Sequence, residues 1–326
     1  MNETASATAT VGSPTLWGFF IAFILVMLAL DLGIFHRKAH APSFKEALSW
    51  TTVWATLAIA FGGWVGSQYG ATKAIEFYTG WVVEQSLSFD NVFVFVLVFQ
   101  ALHIPRQLQH RVLFWGVLTA IVLRAVMILA GAELVERYHW ILYVFGGFLL
   151  LTGIKLLRES SHEPTPEDSR LLGWLRRRLN VTDLQGQSFW VRIDGKLRAT
   201  PMLLALVMVE ITDVIFAVDS IPAIFAITTD PFIVFTSNIF AIIGLRSLFF
   251  VLQSMVKAFL FLKYGLGVIL VFVGLKMVWL NQAFGGKFPI SWSLSIIGII
   301  LAVSILVSIA WNKVKPQTSG SDRETL

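Results

Sequence analysis

The chain has 326 residues, 56% of them hydrophobic and only 14% charged, with a mean hydropathy of +0.74. That balance excludes a water-soluble domain and describes a polypeptide dissolved mostly in lipid. The formal net charge is +5, but the basic residues sit between apolar stretches, where they orient helices rather than bind nucleic acid. No cysteine is present, so disulfides, thiolate metal sites and thiol redox chemistry are excluded together.

Met1 to Pro14 is polar and lacks the basic flank of a cleaved signal peptide, so the first apolar segment reads as a retained span. Segments apolar over roughly the length of a bilayer crossing lie near 16–35, 48–67, 81–102, 112–134, 138–157, 201–224, 232–253, 264–282 and 291–311. They predict an all-α, polytopic transmembrane helical bundle of nine spans, one integral membrane domain over residues 1–326. The longest connection, 158–200, carries Pro164, Pro166, the run Arg176-Arg177-Arg178 and a Phe189-Trp190-Val191-Arg192 patch near Gly195. It predicts a loop with a small hairpin whose arginines meet anionic lipid. The polar end, 312–326, reads as a short disordered tail.

Most loop Lys and Arg fall after spans 1, 3, 5 and 7 and in the tail; the opposite loops hold Lys73, Arg137 and Lys287. By the positive-inside rule the N-terminus is periplasmic and the C-terminus cytoplasmic, in a bacterial inner membrane. Trp17, Trp81, Trp115 and Trp140 lie near span ends and read as interface anchors.

The chain also repeats itself. Glu84 to Val92 (EQSLSFDNV) aligns with Asp213 to Ile221 (DVIFAVDSI), Leu123-Arg124 with Leu245-Arg246, and Gly153-Ile154-Lys155 with Gly274-Leu275-Lys276. These matches define two units, 81–157 (spans 3–5) and 201–282 (spans 6–8). Each has an odd number of spans, so the copies cross the membrane in opposite senses. Such an inverted repeat of two three-helix units places a shared site near the midplane and supports two alternating conformations.

Within or close to the spans lie Asp31, Glu84, Asp90, Glu210, Asp213 and Asp219, against Arg124, Arg246 and Lys276. A lone charge at the bilayer centre costs about 2.5–3.5 kcal/mol, so the surplus carboxylates need protons, cations or water. On one straight helix Glu84 and Asp90 point about 120° apart and lie about 9 Å apart along the axis. Either the helix is interrupted there or the acids have separate tasks. The expected centre is Asp90 and Asp219 with Asn91 and Ser220 beside them. Glu84, Glu210 and Asp213 complete the shell or take up protons, and Arg124 and Arg246 compensate charge or form a permanent salt bridge. Asp31 is a pathway candidate, and Asn238 reads as a helix cap or, alternatively, a ligand. Carboxylate, amide and hydroxyl oxygens without sulfur suit Mn²⁺, Mg²⁺ or Ca²⁺ better than softer metals. His36, His40, His103, His110, His139 and His162 all fall in loops or at helix ends.

Leu30-Asp31-Leu32, EQSLSFDNVFVF, EITDVIFAVDSIPAIFAITTDPF (Glu210 to Phe232) and TSNIFAIIGLR (Thr236 to Arg246) resemble the TerC family of membrane proteins over nearly the whole chain. The resemblance implies an inner-membrane protein that exports metal, chiefly Mn²⁺, with a family name tied to tellurite resistance and the ion held by the acidic stretches of spans 3 and 6. Mn²⁺ enters as transported ion, with no resident cofactor and no enzyme activity. The competing reading is a redox or stress-signalling component acting through partners. Against a redox centre stand the missing cysteine, haem-ready histidine and dinucleotide fingerprint. An intramembrane hydrolase is disfavoured because no G-x-G-D-like motif is present, and no P-loop points to an ATPase.

Overall fold

The computed structural model describes residues 10–30, 43–138, 140–158, 170–182, 188–193, 195–253, 261–284 and 288–314. In chain order these form α1 (Pro14–Leu30), α2 (Phe44–Tyr69), α3 (Ala71–Ala101), α4 (Arg106–Arg137), α5 (Ile141–Arg158) and α6 (Arg170–Arg178). The hairpin β1 (Trp190–Ile193) and β2 (Lys196–Ala199) follows, then α7 (Pro201–Phe225), α8 (Pro231–Gln253), α9 (Leu262–Leu275), a π-turn (Lys276–Leu280), α10 (Asn281–Ala283) and α11 (Ile290–Val314). The protein is an all-α membrane bundle.

Seven of the described helices are long and apolar enough to cross a bilayer: α2, α4, α5, α7, α8, the α9–α10 stretch from Tyr264 to Ala283, and α11 from Ile290 to Trp311. α1 is apolar but shorter. α3 has the length, with 31 residues, but Lys73, Glu76, Glu84 and Asp90 dilute its hydropathy, and it is placed by packing among α2, α7 and α8. Innermost is α8, whose residues are all buried from Phe232 to Leu252.

Local signals explain the boundaries. Ser43 and Glu46 form a reciprocal capping box at the start of α2. Gly70, at φ +89°, makes the turn that lets α3 follow α2 directly. Pro201 occupies the first turn of α7, where its missing N–H costs nothing, and Asp230 Oδ1 accepts from Phe232 N at the start of α8. The hairpin expected around Gly195 is present, with Trp190 paired to Ala199 and Gly195 at φ +75°. The nine-residue helix α6 is an addition to the expected loop, with Leu175 buried and Trp174 exposed.

Two packing features set the frame. Phe61 of α2 and Phe77 of α3 pack against Phe240 of α8, tilted at 5.0 Å and edge-to-face at 5.9 Å, binding these helices around one aromatic cluster. α5 and α9 cross at glycines: a Cβ on Gly153 would stand 2.8 Å from the Gly267 carbonyl oxygen, and one on Gly274 2.8 Å from that of Gly146. Only glycine permits backbones to approach so closely.

One end of the bundle gathers the α2–α3 turn, the α7–α8 loop and the residues before α1. There Lys73 Nζ lies 2.9 Å from Glu76 Oε2 and 3.3 Å from Asp230 Oδ2. Thr228 donates to Glu76, and Thr10 Oγ1 and Val11 N donate to Asp230. Burial works against the Lys73 ammonium, but the hydrogen bond and charge of Glu76, with Asp230 beside it, hold its pKa above the ordinary value. The opposite end joins the starts of α4 and α7 to the end of α8, with Gln253 donating to Gln109 at 2.9 Å and Arg111 stacked over Phe189 of the hairpin segment.

Candidate functional site

Two helical turns below the Lys73 cluster, counted along α3 from Glu76 to Glu84 and along α8 from Asp230 to Asn238, four helices converge on Arg124. Eight residues of helix correspond to about 12 Å. Arg124 of α4 is 1% exposed. Its Nη1 pairs with Glu84 of α3 and donates to Asn238 Oδ1 of α8 at 2.8 Å and Ser220 Oγ of α7 at 3.1 Å. Nη2 reaches Asp213 Oδ1 of α7 at 3.3 Å, and Asn91 Nδ2 of α3 donates to the same oxygen at 3.4 Å. Every member is buried. The guanidinium thus bridges one acid from each matched segment, a geometry its planar fork suits and a lysine could not reproduce.

The structure therefore brings together Glu84, Asn91, Asp213, Ser220, Arg124 and Asn238. Glu210 stands apart with Thr119 of α4 donating to it. Arg246 of α8 is buried beside Asp213 in the lining of a small cavity, about 10 Å³ for the centre of a water-sized sphere, shared with Leu113, Gly116 and Val117. Asp31 lies outside the described residues, as do the side chains of Asp90 and Asp219, whose backbones are helical.

Neither α3 nor α7 is interrupted at its acids: both run as continuous helix through them, and α7 continues past Pro222 to Phe225, which leaves the alternative that Glu84 and Asp90 have separate tasks. One expectation is corrected. Asn238 is not a cap, because α8 begins seven residues earlier and Asp230 serves its first turn; its amide instead donates to Val234 O while its carbonyl accepts from Arg124.

The polar inventory is uneven. Glu84 Oε2, Ser88 Oγ and Asn91 Oδ1 are buried without a hydrogen-bond partner among the described residues, as is Glu210 Oε2. Positions 84, 88 and 91 fall on one face of α3, so three unpaired oxygens line up beside Asp213 and Ser220. Buried oxygens without partners are costly unless something fills the gap. Ser88 had no distinguishing signal except its i+4 spacing from Glu84. No group of three His, Asp or Glu side chains close enough to hold a metal occurs among the described residues; Arg124 lies between Glu84 and Asp213.

Residues 69–317 match the family model described as integral membrane protein TerC family. An uncharacterized membrane protein of Myxococcus xanthus is 52% identical over 314 residues, covering 96% of this chain and 97% of the relative. Proteins named putative membrane-bound redox modulator Alx from Photorhabdus laumondii and Escherichia coli K12 are 47% and 46% identical, over 94% and 93% of this chain and 98% and 96% of their own lengths. No solved structure matches. With a family model over most of its length and near-full-length relatives at these identities, the chain belongs to the TerC family of integral multi-pass membrane proteins.

Proposed function

We propose that the protein is a secondary transporter of divalent metal cations, exporting Mn²⁺ from the cytoplasm in exchange for protons across a bacterial inner membrane. The observation that carries this reading is the row of unpartnered buried oxygens, Glu84 Oε2, Ser88 Oγ and Asn91 Oδ1, beside Asp213 and Ser220. Carboxylate, hydroxyl and amide oxygens with no sulfur or imidazole are the ligand chemistry of a hard cation. Asp90 and Asp219, in the same stretches of α3 and α7, belong to the ion's path in this reading. Arg124 is then the resident cation that compensates Glu84 and Asp213 when the metal is absent.

The wider reading has nine spans, N-terminus periplasmic and C-terminus cytoplasmic, with 81–157 and 201–282 as inverted repeats, 158–200 a cytoplasmic connection and 312–326 a cytoplasmic tail. The α5–α9 crossing supports the duplication: Gly146 and Gly153 are equivalent to Gly267 and Gly274, and the two contacts, Gly146 with Gly274 and Gly153 with Gly267, exchange under that equivalence. A two-fold axis in the membrane plane produces that pattern.

A second reading follows the name of the Alx relatives, a redox or stress-signalling role through partners such as an alkali or tellurite response. It predicts that the connection 158–200 is essential and the buried acids dispensable. The deciding experiment measures Mn²⁺ content and Mn²⁺ tolerance of exporter-deficient cells expressing wild type, Asp90→Asn, Asp219→Asn or Ser88→Ala, each checked for membrane insertion. Lower Mn²⁺ with wild type and loss of that effect in the inserted Asp variants supports export. Unchanged Mn²⁺ with wild type, or full function in both Asp variants, overturns it.

A further inference from the structure

We propose that Ser88 sets the ion preference of the site between Glu84 and Asp213: its hydroxyl supplies a neutral oxygen that selects a hard divalent cation over a soft one. This rests on the transport reading and names the residue that chooses the ion.

A hydroxyl inside a helix can turn back to the carbonyl of the preceding turn. Buried hydroxyls near Ser88 do so: on α3 Thr79 donates to Ile75 O and Ser86 to Val82 O, and on α8 Thr236 donates to Phe232 O. Ser88 is as deeply buried, at 1% exposure, yet its Oγ makes no hydrogen bond among the described residues. It forgoes the partner that its own helix offers. Its neighbours on that face show what is missing. The Asp213 carboxylate accepts from Asn91, so Asn91 turns its amide N–H toward Asp213 and its carbonyl oxygen away. Glu84 gives Oε1 to Arg124 and leaves Oε2 unpaired. The unpaired atoms are therefore two acceptors with a hydroxyl about one helical turn from each. Such a set calls for a cation, and its oxygens are the ligands of a hard one. A neutral hydroxyl adds a ligand without adding a charge beside Glu84 and Asp213.

The repeat singles Ser88 out. Aligning EQSLSFDNV with DVIFAVDSI pairs Glu84 with Asp213 and Asn91 with Ser220, polar with polar, but pairs Ser88 with Ala217. Ala217 is also 1% exposed, so a methyl group is accommodated at the equivalent place in α7. Packing alone does not call for a hydroxyl there. What Ser88 has and Ala217 lacks is an oxygen.

The chain has no cysteine, so an introduced thiol is the only one present, and thiolate draws softer metals than a hydroxyl does. Ser88→Cys and Ser88→Ala are compared in detergent with Ser86→Cys and Ser86→Ala. Ser86 is 3% exposed and, two residues away, points to another side of α3. Equilibrium dialysis reads the binding of Mn²⁺ alone and of Cd²⁺ alone, and the ultraviolet charge-transfer band of a cadmium–thiolate bond reports the thiol as ligand. Ser88→Cys is expected to show that band and to raise the Cd²⁺-to-Mn²⁺ affinity ratio by about tenfold or more. Ser86→Cys shows no band and keeps the wild-type ratio. Ser88→Ala, a residue of the size found at Ala217, is expected to weaken Mn²⁺ binding about tenfold, with Ser86→Ala at the wild-type value; this arm decides where the cysteine variant does not insert. A band in both cysteine variants, an unchanged ratio in Ser88→Cys, or wild-type Mn²⁺ affinity in Ser88→Ala overturns the inference. These measurements read binding without flux, so the expected shifts together with unchanged cell Mn²⁺ would sink the transport reading alone.

Discussion

Gly146 and Gly274 meet so closely that a Cβ on Gly274 would stand 2.8 Å from the Gly146 carbonyl oxygen. The contact recurs between Gly153 and Gly267, so the α5 and α9 backbones approach closely at two points, with Leu150, Leu157 and Val271 packed onto the glycines. Gly274→Val or Gly153→Val would force the helices apart and cost about 1–3 kcal/mol or more. Gly147→Ala, where an added Cβ meets nothing within 4 Å, leaves stability unchanged or slightly raised through helix propensity. Thermal unfolding in detergent distinguishes them; equal melting temperatures for all three would show that α5 and α9 do not meet at these glycines.

Arg124 and Glu84 are both 1% exposed in their side chains, so neither charge has water to fall back on. Removing Arg124 strands Glu84, a loss of about 3–5 kcal/mol for a buried pair, while removing Glu84 leaves Arg124 with Asp213 as its only carboxylate among the described residues. Glu84→Gln alone and Arg124→Met alone are therefore each expected to be strongly destabilising, and the double variant to lose clearly less than their sum. A double-mutant cycle by chemical or thermal unfolding reads the coupling; additive losses would mean that the pair contributes nothing beyond its separate environments.

The helical spans and intramembrane acids were legible because a carboxylate in an apolar run has few structural excuses. Glu84, Asp213 and Arg124, singled out on that ground, meet in the structure. The expected span 232–253 already places Asn238 well inside α8; the cap reading comes from residue type, which does not tell a capping Asn from a buried one. The Lys73 cluster escaped for a related reason: Glu76 precedes the apolar part of α3 and Asp230 lies in a loop, so nothing in the local pattern shows that 154 positions of chain fold back to join them. Helix α6 was hidden by its arginines, which obscure the Leu172, Leu175 and Leu179 spacing that seats it against the bundle.

Lys73 neutralises two carboxylates that are themselves almost fully buried. Its folded pKa is raised, so the stability it supplies is complete below the ordinary lysine value and fades only as pH rises through the raised one. Wild-type stability from this cluster is expected to be flat between about pH 6 and 9. In Lys73→Met the two carboxylates face each other without a cation, and that variant is expected to melt below wild type throughout this range. Equal melting temperatures for the two proteins would remove the cluster from any account of how this end is held.

Thr72, in the first turn of α3, and Gln107, in the first turn of α4, are both exposed and lie at opposite ends of the bundle, and they report orientation because loop charge is so uneven. The described residues of the α6–hairpin connection carry Arg170, Arg176, Arg177, Arg178, Arg192, Lys196 and Arg198. Such a surface belongs on the side that retains positive charge. In intact cells an impermeant maleimide is expected to label Thr72→Cys after the outer membrane is made permeable, and to reach Gln107→Cys only once the inner membrane is also opened. Exported Mn²⁺ would then leave past the Lys73 cluster, entering from the side of α6. The reverse labelling pattern would invert the whole bundle and turn the same acidic pathway into an uptake route.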